Sequence, residues 1–214
     1  MIQGTYYKEW SRMLGRDMEF KVYGHAGTPV LALPARGGRF YDWENNGMPD
    51  AIAPLLNKGK VQLFCADAVD GEGLLNGDLP QRRRAELQEK YFVYLTAELA
   101  PRILTLNNAK KGTRIWTAGV DLGAYHAVHC RLRRPTLFAG AVGMGGIYDL
   151  TRFWGHRQRR HGAALLSPCL SAGKRHCQQA GIDQGRRELP DPLCRSGAPT
   201  RATHWTIRRH WPIC

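Results

Sequence analysis

The chain of 214 residues lacks the marks of several protein classes. No apolar run approaches the roughly 18–20 residues that a membrane-spanning helix needs, and the first residues lack the apolar core of a secretory signal. We therefore expect a cytoplasmic protein with no membrane association. Six cysteines in a chain of this length do not indicate a disulfide scaffold. Hydrophobic residues at 43% and charged residues at 23% exclude wholesale disorder.

Acidic residues are scarce in the last part of the chain. Residues 1–150 hold 19 Lys/Arg and 15 Asp/Glu, whereas residues 151–214 hold 12 and 3. We therefore expect a core over residues 1–155 and a divergent basic tail, poorly ordered, over 156–214. We favour a frameshift in a GC-rich gene as its origin, because alternate codons there favour Arg, Ala, Gly and Pro. A genuine basic tail is the alternative.

Two further uses of this tail have less support. Paired arginines lie near tryptophans, but no recognised nucleic-acid-binding module surrounds them, so nucleic acid is not the expected partner. The cysteines and histidines lack the close spacing of zinc ligands. We therefore expect no metal and no cofactor.

The first part of the chain alternates between two kinds of pattern. Polar and apolar residues alternate over 19–23, and short apolar runs cover 29–34, 61–66, 114–118 and 137–144, as in buried strands. Helical patterns cover 50–57, the stretch after Pro80, and the stretch that ends before Pro135. This order predicts an α/β fold with a mainly parallel sheet and helices on both faces.

Gly119-Val120-Asp121-Leu122-Gly123 lies between a predicted strand and a predicted helix. Small residues on both sides of a central residue are typical of the nucleophile elbow, a sharp turn that lifts the central side chain clear of the sheet. The central side chain would also stand at a helix N-terminus, where negative charge is favoured. The pattern therefore places Asp121 at a candidate site.

Several stretches together resemble one known group of proteins. The sequence is similar to the esterase group of the α/β-hydrolase superfamily that includes esterase D and the mycolyltransferase antigens. The resemblance covers roughly residues 1–155 and is carried by 15–18, 24–30, 38–42, 47–48, 62–65, 119–126 and 144–149. It implies an α/β-hydrolase fold with three α-β-α layers and a carboxylic-ester or thioester hydrolase ancestry. The last strands of that fold are expected to be missing or disrupted.

The elbow departs from the pattern of this group, whose members usually carry serine there. Ser11 is the only serine before Ser167, so a serine esterase acting through this elbow is excluded. Asp121 is either a nucleophile that forms an ester intermediate, as in epoxide hydrolases and haloalkane dehalogenases, or an N-cap of the following helix. We favour the cap, because no partner histidine is evident.

The resemblance also bears on the other site residues. In the group, the histidine follows later strands in a Gly-x-His-Asp-Trp-Pro stretch, and His210 keeps only a fragment of it. His126 and His129 are expected to be packing or surface residues rather than bases. The oxyanion position is better kept. The backbone N–H of Leu122 is one candidate donor, and Arg36, in the loop after an earlier strand, is the other.

These observations predict a hydrolase of ester-cleaving ancestry that is impaired or inactive, a pseudoenzyme. One alternative is an active hydrolase with Asp121 as nucleophile, acting on an epoxide, a halide or an activated ester. The other is a non-catalytic binding or scaffold protein that uses the same cleft. A small ester-like molecule is the expected substrate or ligand, and the oligomeric state is not predicted.

Overall fold

The computed structural model describes residues 2–150 and 153. The strands in this part are β1 Thr5–Ser11, β2 Arg16–Tyr23, β3 Thr28–Leu33, β4 Val61–Ala66, β5 Ile115–Val120 and β6 Phe138–Met144. The helices are α1 Asp42–Asn45, α2 Met48–Ala51, α3 Ala53–Asn57, α4 Gln81–Val93, α5 Ala100–Leu106 and α6 Leu122–Arg133, with a π-helical segment Tyr94–Leu99 between α4 and α5. The expected tail, residues 156–214, lies outside the described residues.

The six strands form one sheet in the order β1-β2-β4-β3-β5-β6. β1 pairs antiparallel with β2, and β2 antiparallel with β4. The remaining pairs, β4 with β3, β3 with β5 and β5 with β6, are parallel. The prediction of a mainly parallel sheet is therefore confirmed, and the carboxyl ends of β3, β4, β5 and β6 lie along one edge.

Helices cover both faces of this sheet, which confirms the three-layer prediction. On one face, side chains of β2, β3 and β4 pack against α4, α5 and the π-helical segment, with Tyr91, Leu95 and Ile103 nearly inaccessible to solvent. On the other face, Trp43 and Leu56 of the short helices pack against β3 and β4. β3 and β4 are therefore buried on both sides, as their continuous apolar runs predict.

Two features differ from the sequence predictions. β1 is not predicted, because it is an edge strand and its apolar residues Tyr6 and Trp10 are largely exposed. β5 is predicted to be fully buried, but Trp116 is 43% exposed over β6, so that prediction is wrong for one face. Among the described residues, no helix combines the length and the apolarity that a membrane span requires.

Candidate active site at the strand-to-helix elbow

Asp121 lies between β5 and α6 on a strained backbone turn. Its φ is 53° and its ψ is −114°, a conformation that residues other than glycine rarely adopt. The turn is fixed on both sides: the N–H of Asp121 donates to the carbonyl of Met144, and the N–H of Ile147 donates to the carbonyl of Asp121, at 3.0 and 3.2 Å. Strain of this kind persists only where the surrounding structure holds it.

The two flanking glycines let the elbow form. A Cβ atom on Gly119 would come within 2.1 Å of the Gly123 carbonyl oxygen. A Cβ atom on Gly123 would come within 2.2 Å of the Pro34 carbonyl oxygen, at the end of β3. Because backbone lies on the other side of both contacts, no side chain can move aside to make room. The small-residue pattern in the sequence thus reports a close approach between α6, β5 and β3.

The carboxylate of Asp121 is held by Arg36. Asp121 Oδ2 accepts a hydrogen bond from the backbone N–H of Arg36 at 3.3 Å and lies 3.2 Å from Arg36 Nε. The Asp121 side chain is 22% exposed and the Arg36 side chain 49%. The structure therefore brings together two of the sequence-predicted site residues, which are 85 positions apart in the chain.

The favoured interpretation of Asp121 as a helix cap is wrong. Asp121 occupies the N-cap position of α6, but its side chain makes no capping hydrogen bond. A capping residue normally has φ and ψ in the β region. The positive φ of Asp121 instead directs the carboxylate toward Arg36. Leu122, the other candidate donor, begins α6 and its side chain is fully buried; its N–H as an oxyanion donor stays a prediction.

A second arginine anchors the loop that carries Arg36. Arg39 Nε lies 2.7 Å from Asp67 Oδ1 at the end of β4, and Arg39 also contacts Glu19. The backbone N–H of Phe40 donates to the same Asp67 oxygen at 3.2 Å. Burial raises the pKa of Asp67 above its ordinary value, and these donors offset only part of that rise. The carboxyl ends of β3 and β4 are therefore joined by an ion pair beside the elbow.

A buried pair that the sequence does not predict joins α6, just after the elbow, to the loop that follows β4. His126 Nε2 is 2.9 Å from Asp70 Oδ1, and the two residues are 4% and 1% exposed. Gln88 Nε2 donates to the same oxygen of Asp70 at 3.1 Å. His126 also packs edge-on against Tyr91 and Tyr125. His126 is packed among aromatic side chains, as expected. Its partner Asp70 lies 56 residues away in the chain, and no sequence pattern indicates that pairing.

His129 follows one turn later on α6 and has a different environment. Its ring stacks on Tyr125 and lies near Phe92, with ring centroids 5.3 Å apart in both cases. Burial, together with the positive charge of Arg133, lowers the pKa of His129 to about 4. His129 is therefore a neutral packing residue at pH 7. His210, the weak candidate for the base, lies outside the described residues.

Two other chemistries find no support among residues 2–150 and 153. Ser11 cannot replace a serine at the elbow, because it is 1% exposed at the end of β1 and its Oγ accepts a hydrogen bond from the N–H of Leu14. This part of the chain contains no group of three or more His, Cys, Asp or Glu residues that could hold a metal ion. Cys65 and Cys130 are both free and buried.

No protein-family model matches this sequence, and no curated protein is significantly similar to it. Solved structures do resemble it. The S-formylglutathione hydrolase of Staphylococcus aureus has a TM-score of 0.56 and 12% identity, over 84% of this chain and 73% of that one. The enterobactin esterase of Shigella flexneri has a TM-score of 0.54 and 19% identity, over 81% and 43%. MPT51 of Mycobacterium tuberculosis has a TM-score of 0.54 and 17% identity, over 81% and 60%.

These similarities define the class of protein at the level of the fold. The chain has the α/β-hydrolase fold, and the fold resembles that of esterases, as the sequence predicts. At such low identities the likeness identifies the fold and not the reaction. The chain spans 60% of the length of MPT51 and 43% of the length of the enterobactin esterase, less than two thirds of either.

Proposed function

We propose that this protein is an α/β-hydrolase of carboxylic-ester hydrolase ancestry. It binds a small ester-like molecule at its elbow but hydrolyses esters poorly or not at all. The contact between Asp121 Oδ2 and the backbone N–H of Arg36 carries the proposal. In this fold a donor from the loop after an early strand serves the oxyanion of the reaction. Here that donor already binds a carboxylate of the protein itself.

The electrostatics favour the same conclusion. A neutral serine hydroxyl would leave the donors of Arg36 open to an incoming carbonyl oxygen. The charged Asp121 carboxylate forms an ion pair with them, and a developing oxyanion would have to displace it while standing next to a negative charge. Charge stabilisation of the oxyanion is commonly the largest single contribution to acyl-transfer catalysis. Its loss alone would reduce the rate by roughly 10²–10³-fold.

The test is ester hydrolysis by the native chain and by Asp121→Asn, with p-nitrophenyl acetate and p-nitrophenyl butyrate as substrates. We expect Asp121→Asn to hydrolyse both esters at least as fast as the native chain, because the proposal makes the Asp121 carboxylate an obstacle to the oxyanion rather than a nucleophile. Asp17→Asn is the matched control, since Asp17 is a surface carboxylate paired with Lys8. A native rate tenfold or more above that of Asp121→Asn would overturn the proposal.

The same contact supports a second candidate function, because it engages only Oδ2 of the Asp121 carboxylate and leaves Oδ1 as the attacking atom. If Asp121 were a nucleophile, one carboxylate oxygen would attack an electrophilic carbon of an epoxide or a halide. A bond from that oxygen to carbon would form while the carbon–oxygen or carbon–halogen bond breaks. The halide would leave, or the epoxide oxygen would stay on the alkyl group and take a proton from water. Water would then attack Cγ and lose a proton to solvent, and the ester bond would break to restore the carboxylate and release an alcohol or a diol. Oδ2, already at the Arg36 N–H, would carry the negative charge of that second step.

Intact-protein mass spectrometry distinguishes this candidate. The native chain would be incubated with a bromoalkane and with an aliphatic epoxide and quenched in acid. One alkyl group per chain, absent from Asp121→Asn, would identify Asp121 as the nucleophile. Ligand affinity without turnover and without an adduct would instead point to the binding or scaffold alternative.

We further propose that residues 1–155 are the hydrolase core and that residues 156–214 are a divergent basic sequence, either a frameshift product or a genuine tail. The protein acts in the cytoplasm. Its partner is a small molecule rather than a nucleic acid.

A further inference from the structure

A cavity of about 470 Å³ lies at the edge of the sheet opposite the elbow. It is lined by residues at the amino ends of β3, β4 and β5 and by the loop that follows α5. Thr28 begins β3, Lys60 precedes β4, and Arg114 precedes β5, while Asn107 and Lys110 belong to the loop. Its volume is within the range of small-molecule sites. We call this cavity, lined by Lys60, Lys110 and Arg114, the cationic cleft.

The charge of the cationic cleft is not neutralised by the surrounding protein. No acidic residue lines it. Within the part of the chain that the structure describes, Lys60, Lys110 and Arg114 form no ion pair with a carboxylate. Many basic side chains elsewhere do form one: Lys8, Arg16, Lys21, Arg36, Arg39, Arg82, Arg83, Arg102 and Arg133. Cations gathered around one cavity repel one another, and a bound anion relieves that repulsion.

The walls of the cationic cleft are fixed by hydrogen bonds between distant segments. Asn107 Nδ2 donates to the Gly27 carbonyl at 3.0 Å and to Gln62 Oε1 at 2.8 Å. Gln62 is itself 4% exposed. The N–H of Thr28 donates to the Lys60 carbonyl at 2.9 Å. Asn107 thus holds the α5 loop against the start of β3 and against the buried Gln62 of β4, so the backbone of this wall is fixed.

Gly27 adds a second constraint on this wall. Its φ is 101°, and a Cβ atom there would come within 2.2 Å of the Lys60 carbonyl carbon. The turn before β3 therefore packs directly on the backbone of Lys60. This contact fixes the backbone position of Lys60, from which its side chain extends.

We propose that the cationic cleft binds a small organic phosphate that carries two or more negative charges. Two ammonium groups and one guanidinium around one cavity match the several oxygens of such a ligand, and the planar guanidinium of Arg114 suits paired phosphate oxygens. The cavity has room for more than one phosphate group. The site is distinct from the elbow, which lies at the opposite ends of the same strands, so the inference does not depend on the proposed function.

Titration calorimetry of the full chain with pyrophosphate at constant ionic strength tests the proposal. We expect native protein to bind pyrophosphate, and the triple variant Lys60→Gln, Lys110→Gln, Arg114→Gln to bind it at least about tenfold more weakly. The matched control changes three exposed basic residues elsewhere, Arg12→Gln, Arg82→Gln and Lys90→Gln. It has the same net charge and should bind within about twofold of native protein.

Three results would overturn the proposal. These are no binding by native protein, an equal loss in the triple variant and in its control, and a single-stranded oligonucleotide that displaces pyrophosphate at equal phosphate concentration. The last result would assign the surface to nucleic acid instead. Thermal melting of each variant checks its folding. Arg114→Gln alone serves if the triple variant does not fold, because Arg114 is exposed, and it should still weaken binding by about threefold or more.

Discussion

Two aspartates near the carboxyl edge of the sheet have opposite environments. Asp121 stands on a strained turn, partly exposed, with its carboxylate held by the exposed side chain and the backbone of Arg36. Asp70 is 1% exposed and is paired with His126, which is 4% exposed. Removal of the first carboxylate would leave an arginine that water can solvate. Loss of the His126 side chain would leave a buried carboxylate with one fewer partner.

Asp121 belongs to a site that a ligand can reach, whereas Asp70 belongs to a buried pair that stabilises the fold around that site. An aspartate and a histidine within hydrogen-bonding distance would suggest a catalytic pair if judged by residue type alone. Burial assigns the Asp70–His126 pair to the packing between the loop after β4 and helix α6. The partly exposed Asp121 lies where a substrate could reach it. Four predictions test this division, from the largest expected effect to the smallest.

His126→Leu should destabilise the protein most. The substitution leaves the Asp70 carboxylate buried beside an apolar side chain, a change that costs about 3 kcal/mol of unfolding free energy. Urea denaturation followed by circular dichroism measures it. A loss below about 1 kcal/mol would mean that the buried pair does not stabilise the fold. Leu132→Ala is a suitable surface control, since Leu132 is 59% exposed.

His129 should make the protein less stable in acid. Its pKa is about 4 in the folded state and about 6.5 when unfolded, so the unfolded chain binds the proton more readily. The free energy of unfolding is therefore unaffected by His129 protonation above about pH 6.5 and decreases as the pH falls toward 4. Between pH 7 and 5 we expect a loss of about 1–2 kcal/mol that is absent in His129→Phe, which keeps the ring stacking. Parallel pH profiles of the two proteins would contradict the assignment.

Glycine at the elbow should relieve strain. Asp121→Gly and Asp121→Ala both remove the ion pair with Arg36, but only alanine keeps a Cβ at a φ of 53°. We expect Asp121→Gly to be more stable than Asp121→Ala by about 1 kcal/mol, because glycine adopts this conformation without steric cost. Thermal melting of the two variants decides the point. If alanine is equally stable, the turn is not strained.

Arg36→Gln should have the smallest effect on stability. The ion pair with Asp121 is partly exposed, and such pairs contribute less than about 1 kcal/mol. Chemical denaturation should therefore barely separate Arg36→Gln from the native chain, in contrast to His126→Leu. A loss as large as that of the buried histidine variant would remove the distinction between the two aspartates.

The sequence predicts the central part of the fold well because local patterns determine it. The apolar run 61–66 becomes β4, and the small residues around Asp121 mark the close approach of β5, α6 and the end of β3. β1 escapes prediction because an edge strand needs no buried alternation. The pairing of Asp70 with His126 escapes it for another reason. The two residues meet only after the loop following β4 packs on α6, and no periodicity encodes that contact.

The elbow illustrates the limit of such predictions at a single residue. The pattern predicts the position of Asp121 at the turn but not the partner of its carboxylate. An aspartate before a helix usually caps it. Here the positive φ of the elbow turns the side chain toward Arg36, and that backbone angle follows from contacts among three segments of the chain.

The most direct test of impaired hydrolysis uses water labelled with ¹⁸O. The native chain would be incubated in labelled water with an activated ester, an epoxide and a bromoalkane, and the peptide containing Asp121 analysed by mass spectrometry. Turnover through an ester at Asp121 would place ¹⁸O in its carboxylate, because water attacks Cγ. Our account predicts an unlabelled peptide, identical to that from a sample without substrate. Label on Asp121 would contradict it and establish Asp121 as a working nucleophile.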